Sequence, residues 1–206
     1  GAVFVYESEI FMDGNTTFSN NTAYLDGGAV IVNFGSKMFG RGTTTFHSNT
    51  AAAGDGGALG IYGYFSDKGS YADISGETTF ANNSAFAHGG AIFSTANFQG
   101  NYFEELVFRS NRAGIGGAVT TFGTGNADNL VASPSVFLRC QFLHNTAAET
   151  GGAMETSFGE TNMVSSYFES NSADVGGALR LGGIVSVSEC SFISNTASSS
   201  GLAISA

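Results

Sequence analysis

The sequence predicts an all-β chain wound as a right-handed, single-stranded parallel β-helix of about seven coils. Three observations lead there. A composite motif returns every 24 to 34 residues, the extra length always enters at one place in the repeat, and apolar and polar residues alternate with period two between motifs.

The motif has two halves. Phe-x-x-Asn-x-Ala recurs seven times, with its aromatic at Phe18, Phe46, Phe80, Phe108, Phe142, Phe168 and Phe192. The amides are Asn21, Asn49, Asn83, Asn111, Asn145, Asn171 and Asn195. Eight to ten residues after each Phe comes Gly-Gly-Ala and an aliphatic residue or Met. The glycine pairs are Gly27 and Gly28, Gly56 and Gly57, Gly89 and Gly90, Gly116 and Gly117, Gly151 and Gly152, and Gly176 and Gly177. The seventh place departs from the pattern and reads Gly201-Leu202-Ala203-Ile204.

Phe-to-Phe spacings are 28, 34, 28, 34, 26 and 24 residues. The insertions fall between Gly-Gly-Ala and the next Phe, as in a solenoid whose frame is fixed and whose loops are let out at one corner. The chain reads as a single repeat region over 1–206, a segment of a longer array.

Helical repeats need apolar residues three and four apart over ten or more positions. These Gly- and Thr-rich, β-branched units offer no such period and have poor helix propensity. Alternation fits a strand better. In Ile184–Ser194, Ser188, Cys190, Phe192 and Ser194 share the inward parity of the aromatic, and Val185, Val187, Glu189, Ser191 and Ile193 the other. The residue after Phe varies freely (Ser19, His47, Ala81, Arg109, Leu143, Glu169, Ile193), as a solvent face does. The next residue (Asn20, Ser48, Asn82, Ser110, His144, Ser170, Ser194) takes the inward parity. About three strands per coil, with coils about 4.8 Å apart, give a rod of roughly 35 Å.

Each repeated residue then has a task. Phenylalanines stack along the inside. Asparagines sit where strand gives way to turn and bond to one another up the axis. Alanines stand where the wall is close. The glycines allow a tight turn with positive φ and keep a Cβ away from the coil above.

Composition narrows the function. Only 12% of residues are charged, about half the usual share, while 42% are hydrophobic. Such a surface, covered by Ser, Thr, Asn and Gly, is more typical of secreted β-rich proteins than of intracellular enzymes. The net charge of −10, from 17 acidic and 7 basic side chains without a Lys/Arg run, disfavours nucleic acid as a partner. No window of 18 apolar residues marks a transmembrane segment, and no signal peptide opens the chain. No cofactor is expected.

Candidate chemistry is sparse. The position before Gly-Gly holds Asp26, Asp55, His88, Ile115, Thr150, Val175 and Ser200. Asp26, Asp55 and His88 fall in successive coils, one above another, and are the candidate metal ligands. Two stacked carboxylates repel or invite a cation, and the alternative is an ordinary solvated turn. A polysaccharide lyase or glycosidase needs facing carboxylates, or calcium-binding Asp with a basic residue, and the residues after each Phe offer no carboxylate pair. The reading is therefore non-catalytic. His47 is expected outward and His144 inward, neither with zinc-site spacing. Cys140 and Cys190 point inward on either side of Ser166, two coils and about 10 Å apart. That exceeds the roughly 7 Å a disulfide spans, so both are expected free and buried. Of the sequons at Asn15, Asn20 and Asn82, parity turns the last two inward, leaving Asn15 as the glycosylation candidate. The inserts carry Tyr64, Tyr71, Phe98, Tyr102, Phe103 and Phe122, which either expose adhesive patches or fold over the rod.

The paired Gly-Gly-Ala-[Ile/Leu/Val] and Phe-x-x-Asn motifs resemble the chlamydial polymorphic outer membrane protein repeat. The resemblance spans Gly1 to Ile204, with Leu202 as its departure. It implies a β-helical passenger of an autotransporter acting in adhesion to host cells. The same repeat type occurs in large secreted or surface proteins of other bacteria, algae and related protists, so an extracellular fibre or cell-coat subunit fits the same residues. Either role implies an extracellular or cell-surface location, at the outer membrane if the chain is part of a longer protein. The partners expected are a host or matrix receptor, and other domains or copies of the chain joined through the open ends of the helix, where head-to-tail contact builds filaments.

Overall fold

The computed structural model describes residues 1–63, 69–95, 100–123 and 134–205. Among these the secondary structure is all strand, paired parallel in four sheets of eight, seven, seven and seven strands. The chain visits the sheets in the same order in each of seven coils. Their register carries Val3 onto Val30, Leu59, Ile92, Val119, Met154, Leu179 and Ile204 in the first sheet. The second sheet runs from Glu9–Met12 to Ile184–Ser188. The phenylalanine sheet runs from Thr16–Ser19 to Ser191–Ile193. The alanine sheet runs from Thr22–Ala23 to Thr196–Ser200. The large changes in sequence length fall between the first and second sheets: Tyr6 and Glu9 are nearly adjacent, whereas Phe122 and Ser135 are far apart in sequence.

Four strands per coil, against the three expected, follow from one residue. The position two after each Phe is left-handed, with φ between 53° and 56° at Asn20, Ser48, Asn82, Ser110, His144, Ser170 and Ser194. It ends the phenylalanine strand, turns the chain and starts the alanine strand two residues on. The side chains at this bend therefore do not point inward. Asn20, Asn82, Ser110, His144 and Ser194 are exposed, and Ser48 and Ser170 half-buried. All three sequons, at Asn15, Asn20 and Asn82, are consequently on the surface. His47 is exposed, as parity predicts, with Nε2 3.2 Å from Nδ2 of Asn82.

A second left-handed residue, at Glu105, Arg139, Ser165 and Glu189, separates the second sheet from the phenylalanine sheet in the last four coils. It also breaks the parity read through Ile184–Ser194. Val185 and Val187 pair with Thr161 and Met163 on the inward side, and Val185 packs against the core. Past the bend at Glu189, Cys190 and Phe192 pack against that core too.

The core is a set of columns. Phe46, Phe80, Phe108, Phe142 and Phe168 have no exposed surface, and Phe18 and Phe192 at the ends are half-buried. Their rings stack at 4.6–5.1 Å with planes within 11° of parallel. A second aromatic pair, Phe103 and Phe137 at 5.0 Å, lies in a column between Ile74 and Met163. Phe103 is thus core, not a surface loop. Tyr71 and Tyr102 are half-buried in the second sheet, and Phe122 ends a first-sheet strand. Tyr64 and Phe98 lie outside the described residues.

Both cysteines are free. Cys140 is fully buried, and its N–H donates to Oγ of the intervening Ser166 at 3.1 Å. Cys190, expected buried, is only half so, because coil 7 borders the open end of the stack.

Candidate functional site

The most ordered polar structure is the asparagine column inside the bend. Each Oδ1 accepts two hydrogens from the coil before it. Asn49 Oδ1 takes the N–H of Asn21 at 3.1 Å and its Nδ2 at 2.9 Å, and the pattern repeats up to Asn195. From Asn49 onward, each Nδ2 gives its other hydrogen to the carbonyl of the preceding coil's Phe, at 2.9–3.0 Å. In the middle coils both amide hydrogens and both carbonyl lone pairs are used, which is what permits a fully buried amide. The side chains of Asn49, Asn83, Asn111, Asn145 and Asn171 are buried on these terms.

The glycine turns stack through their backbones as well: Gly27 N–H donates to Asp55 O, and Gly28 N–H to Gly56 O. The two glycines of a pair act differently. Gly89 has φ of +60°, a conformation L side chains rarely adopt. Gly90 has ordinary φ, but a Cβ there would overlap the Gly117 carbonyl oxygen and come within 2.6 Å of the Arg112 amide nitrogen in the next coil.

Asp26, Asp55 and His88 form the column that parity and spacing proposed. Asp26 Oδ1 accepts the Asp55 N–H at 2.9 Å, and Asp55 Oδ1 accepts the His88 N–H at 3.0 Å. His88 Nδ1 lies 2.8 Å from the same oxygen. The hydrogen bond to Asp55 raises the His88 pKa; burial opposes it, and the charges of Asp55, Glu155 and Glu149 add to the rise. The imidazole rests edge-on against Phe122 at 5.2 Å and near Phe93 at 5.8 Å. These acidic groups therefore cap the next coil's backbone. Among the described residues no group of three or more His, Cys, Asp or Glu is arranged to hold a metal ion.

A second polar cluster, on the outer side of the first sheet, escaped the sequence reading. Glu155 is 5% exposed and directly faces Arg180 in the next coil. Its Oε1 accepts from Ser157 Oγ at 3.0 Å and Arg180 Nη1 at 3.2 Å, and its Oε2 from Thr150 Oγ1. The signal was available. Aligning the residue after the Gly-Gly-Ala-aliphatic motif gives Ile31, Gly60, Phe93, Thr120, Glu155, Arg180 and Ser205, which sets opposite charges one coil apart. With three donors on a buried carboxylate, the arrangement is that of a satisfied ion pair.

The surface offers aromatic groups that sequence parity passed over. Phe4, Tyr6 and Phe11 are 58%, 49% and 59% exposed. Tyr6 lies 4.7 Å from Phe34, and Phe11 stacks on Phe39 at 5.0 Å. Ion pairs tie adjacent coils, from Lys37 to Glu9 at 2.9 Å across the second sheet and from Arg139 to Glu105 at 2.9 Å at the bend that follows it. No helix among the described residues is long and apolar enough to cross a membrane.

No curated protein and no solved structure matches the chain. A family model does match, over two stretches that each join the Phe-x-x-Asn bend to the Gly-Gly-Ala turn and the first-sheet strand after it. Residues 15–31 and 77–95 match the model of the Chlamydia polymorphic membrane protein repeat.

Proposed function

We propose that the chain is a non-catalytic scaffold displayed at a cell surface, where it mediates adhesion. The repeat it carries is named for a membrane protein family, which favours a surface or outer-membrane-associated setting. The observation that carries the adhesive part is the exposure of Phe4 and Tyr6 on the first sheet and of Phe11 on the second, each held by a parallel stack. Solvent-exposed rings held by a preformed sheet bury apolar area on contact at little cost in conformational entropy. The acidic groups are otherwise engaged: Asp26 and Asp55 in capping backbone N–H groups, Glu155 in its ion pair.

The test is binding of the folded chain, coupled to beads, to cultured host-type cells. The Phe4→Ser, Tyr6→Ser, Phe11→Ser triple variant is expected to lose most of the binding while its circular dichroism stays unchanged. Equal binding by the triple variant would remove these rings from the account. Depolymerisation of an acidic polysaccharide by the wild type, abolished by Glu155→Gln, would replace the scaffold reading with an enzymatic one.

A further inference from the structure

Leu202 breaks a steric rule that the six preceding turns obey. We propose that it is a stop in the coil stack, preventing a coil that carries the same glycine turn from seating on coil 7 in the register that joins coils 1 to 7. The rule concerns the second glycine of each pair. A Cβ on Gly28 would overlap the carbonyl oxygen of Gly57 and fall 2.6 Å from the Thr50 amide nitrogen. A Cβ on Gly152 would likewise overlap Gly177 O and fall 2.6 Å from the Ser172 nitrogen. All of these are backbone atoms of the following coil, so no rotamer change relieves the overlap.

The last turn is otherwise built like its predecessors. Gly201 has φ of +64°, Gly177 N–H donates to Gly201 O at 3.0 Å, and Ala178 N–H donates to Ala203 O at 2.9 Å. Gly177 makes room for the Leu202 carbonyl as Gly152 makes room for that of Gly177. The Leu202 Cβ therefore points to where the carbonyl oxygen of another stacked turn would come. The side chain is 71% exposed there. The rest of coil 7 keeps the stacking pattern, with Phe192 on Phe168, Ala197 opposite Ala173, and Asn195 bonded to Asn171.

Gly1-Ala2-Val3 has the same turn sequence, and Ala2 N–H donates to Ala29 O at 2.7 Å, so coil 1 of a second copy serves as a probe of that seat. Seated on coil 7 of another copy, its Gly1 carbonyl would meet the leucine. An open parallel edge is a template for pairing, and repeated head-to-tail contact gives filaments. One leucine at the glycine position blocks a turn of this kind, whichever chain supplies it. Stacking through this end, expected from the sequence, is then restricted to partners whose chain departs from the glycine-turn geometry.

Sedimentation velocity across a concentration series tests this on the 1–206 chain. The wild type is expected to keep one sedimentation coefficient, and Leu202→Gly to shift to larger species with rising concentration and form end-to-end rods in electron micrographs. Association of the wild type through coil 7, or no gain in association by Leu202→Gly, overturns the proposal. A second variant tests the same geometry within one chain. Gly177→Leu places the leucine beneath coil 7 and is expected to abolish amide-exchange protection over residues 196–205 while coils 1 to 4 stay protected. Full protection over 196–205 in that variant would show that the turn tolerates the side chain, and would overturn the proposal equally.

Discussion

Asn83 gives two hydrogens to a single acceptor: its backbone N–H and its Nδ2 each reach Oδ1 of Asn111 at 3.0 Å. Asn111 in turn donates Nδ2 to Phe80 O and to Asn145 Oδ1, both at 3.0 Å. The middle of the rod therefore holds a buried amide in which every valence is used, and the column is only as sound as each of its members.

Replacing Asn111 by Ala orphans the N–H and one amide hydrogen of Asn83 and removes a donor from Phe80 O. Each buried unsatisfied group costs about 1–3 kcal/mol, so the variant is expected to lose more than about 3 kcal/mol in urea denaturation. Asn111→Asp keeps the acceptor for Asn83 but turns an oxygen toward Phe80 O and Asn145 Oδ1. Burial and these acceptors raise the folded-state pKa of the new carboxyl above its unfolded value of about 3.9. Its stability relative to wild type is then best below that value and falls as pH rises through the raised pKa. An Asp variant as stable as wild type at neutral pH would contradict the assigned amide orientations.

The phenylalanine column makes a positional prediction. Phe108 is buried between Phe80 at 5.1 Å and Phe142 at 4.8 Å, whereas Phe192 has one partner, Phe168, and is half-buried. Phe108→Ala should cost about 3–5 kcal/mol, and Phe192→Ala clearly less, because the end site loses one stacked contact and opens to water instead of leaving a cavity. Chemical denaturation of both variants measures the gap, and equal losses would mean that the coils do not stack as nearest neighbours.

Legibility in the sequence followed the backbone. Where φ stays in the β region, parity assigns the side chains correctly: Phe46 in, His47 out. Where a residue turns left-handed, parity fails from that point on. Parity puts His144 and Asn82 inward, but they sit at such bends, and it puts Val187 outward only when counted through Glu189, which resets the alternation. The clue was chemical. The residues two after Phe are Asn, Ser and His, and Asn and His are among the types that best tolerate positive φ. The Asp26–Asp55–His88 column was legible because its residues share one turn position. Glu155 and Arg180 stayed hidden because they belong to a column that is otherwise apolar or small.

His88 predicts a pH dependence. Its hydrogen bond to Asp55, together with the nearby charge of Glu155 and Glu149, raises its pKa above the ordinary 6.5, against the opposing effect of burial. A raised histidine stabilises the fold fully below the unfolded pKa, and that contribution fades as pH rises through the folded value. Thermal midpoints should therefore fall modestly from pH 6 to pH 8, by the equivalent of about 1 kcal/mol or less, given the partial exposure of the pair. His88→Gln should flatten this part of the profile. A wild-type midpoint that rises over the same range would place the charged histidine in an unfavourable setting.

The two cysteines should separate by reactivity. Both stand two residues before a phenylalanine, yet burial pushes the Cys140 thiol up to about 12, while Cys190 is raised by the same cause and keeps part of its surface at the end of the stack. The thiolate is the reacting species, so Cys140 offers a thiol reagent neither access nor nucleophile in the folded chain. Iodoacetamide followed by peptide mass mapping should label Cys190 slowly under native conditions and Cys140 only after global unfolding. Cys190→Ser should abolish native-state labelling altogether. In a stack held by nearest-neighbour contacts an end coil opens before a middle one, so mild denaturant should speed the modification of Cys190 well before that of Cys140. Simultaneous labelling at every denaturant concentration would show that the rod unfolds as one unit and that the end coil has no separate stability.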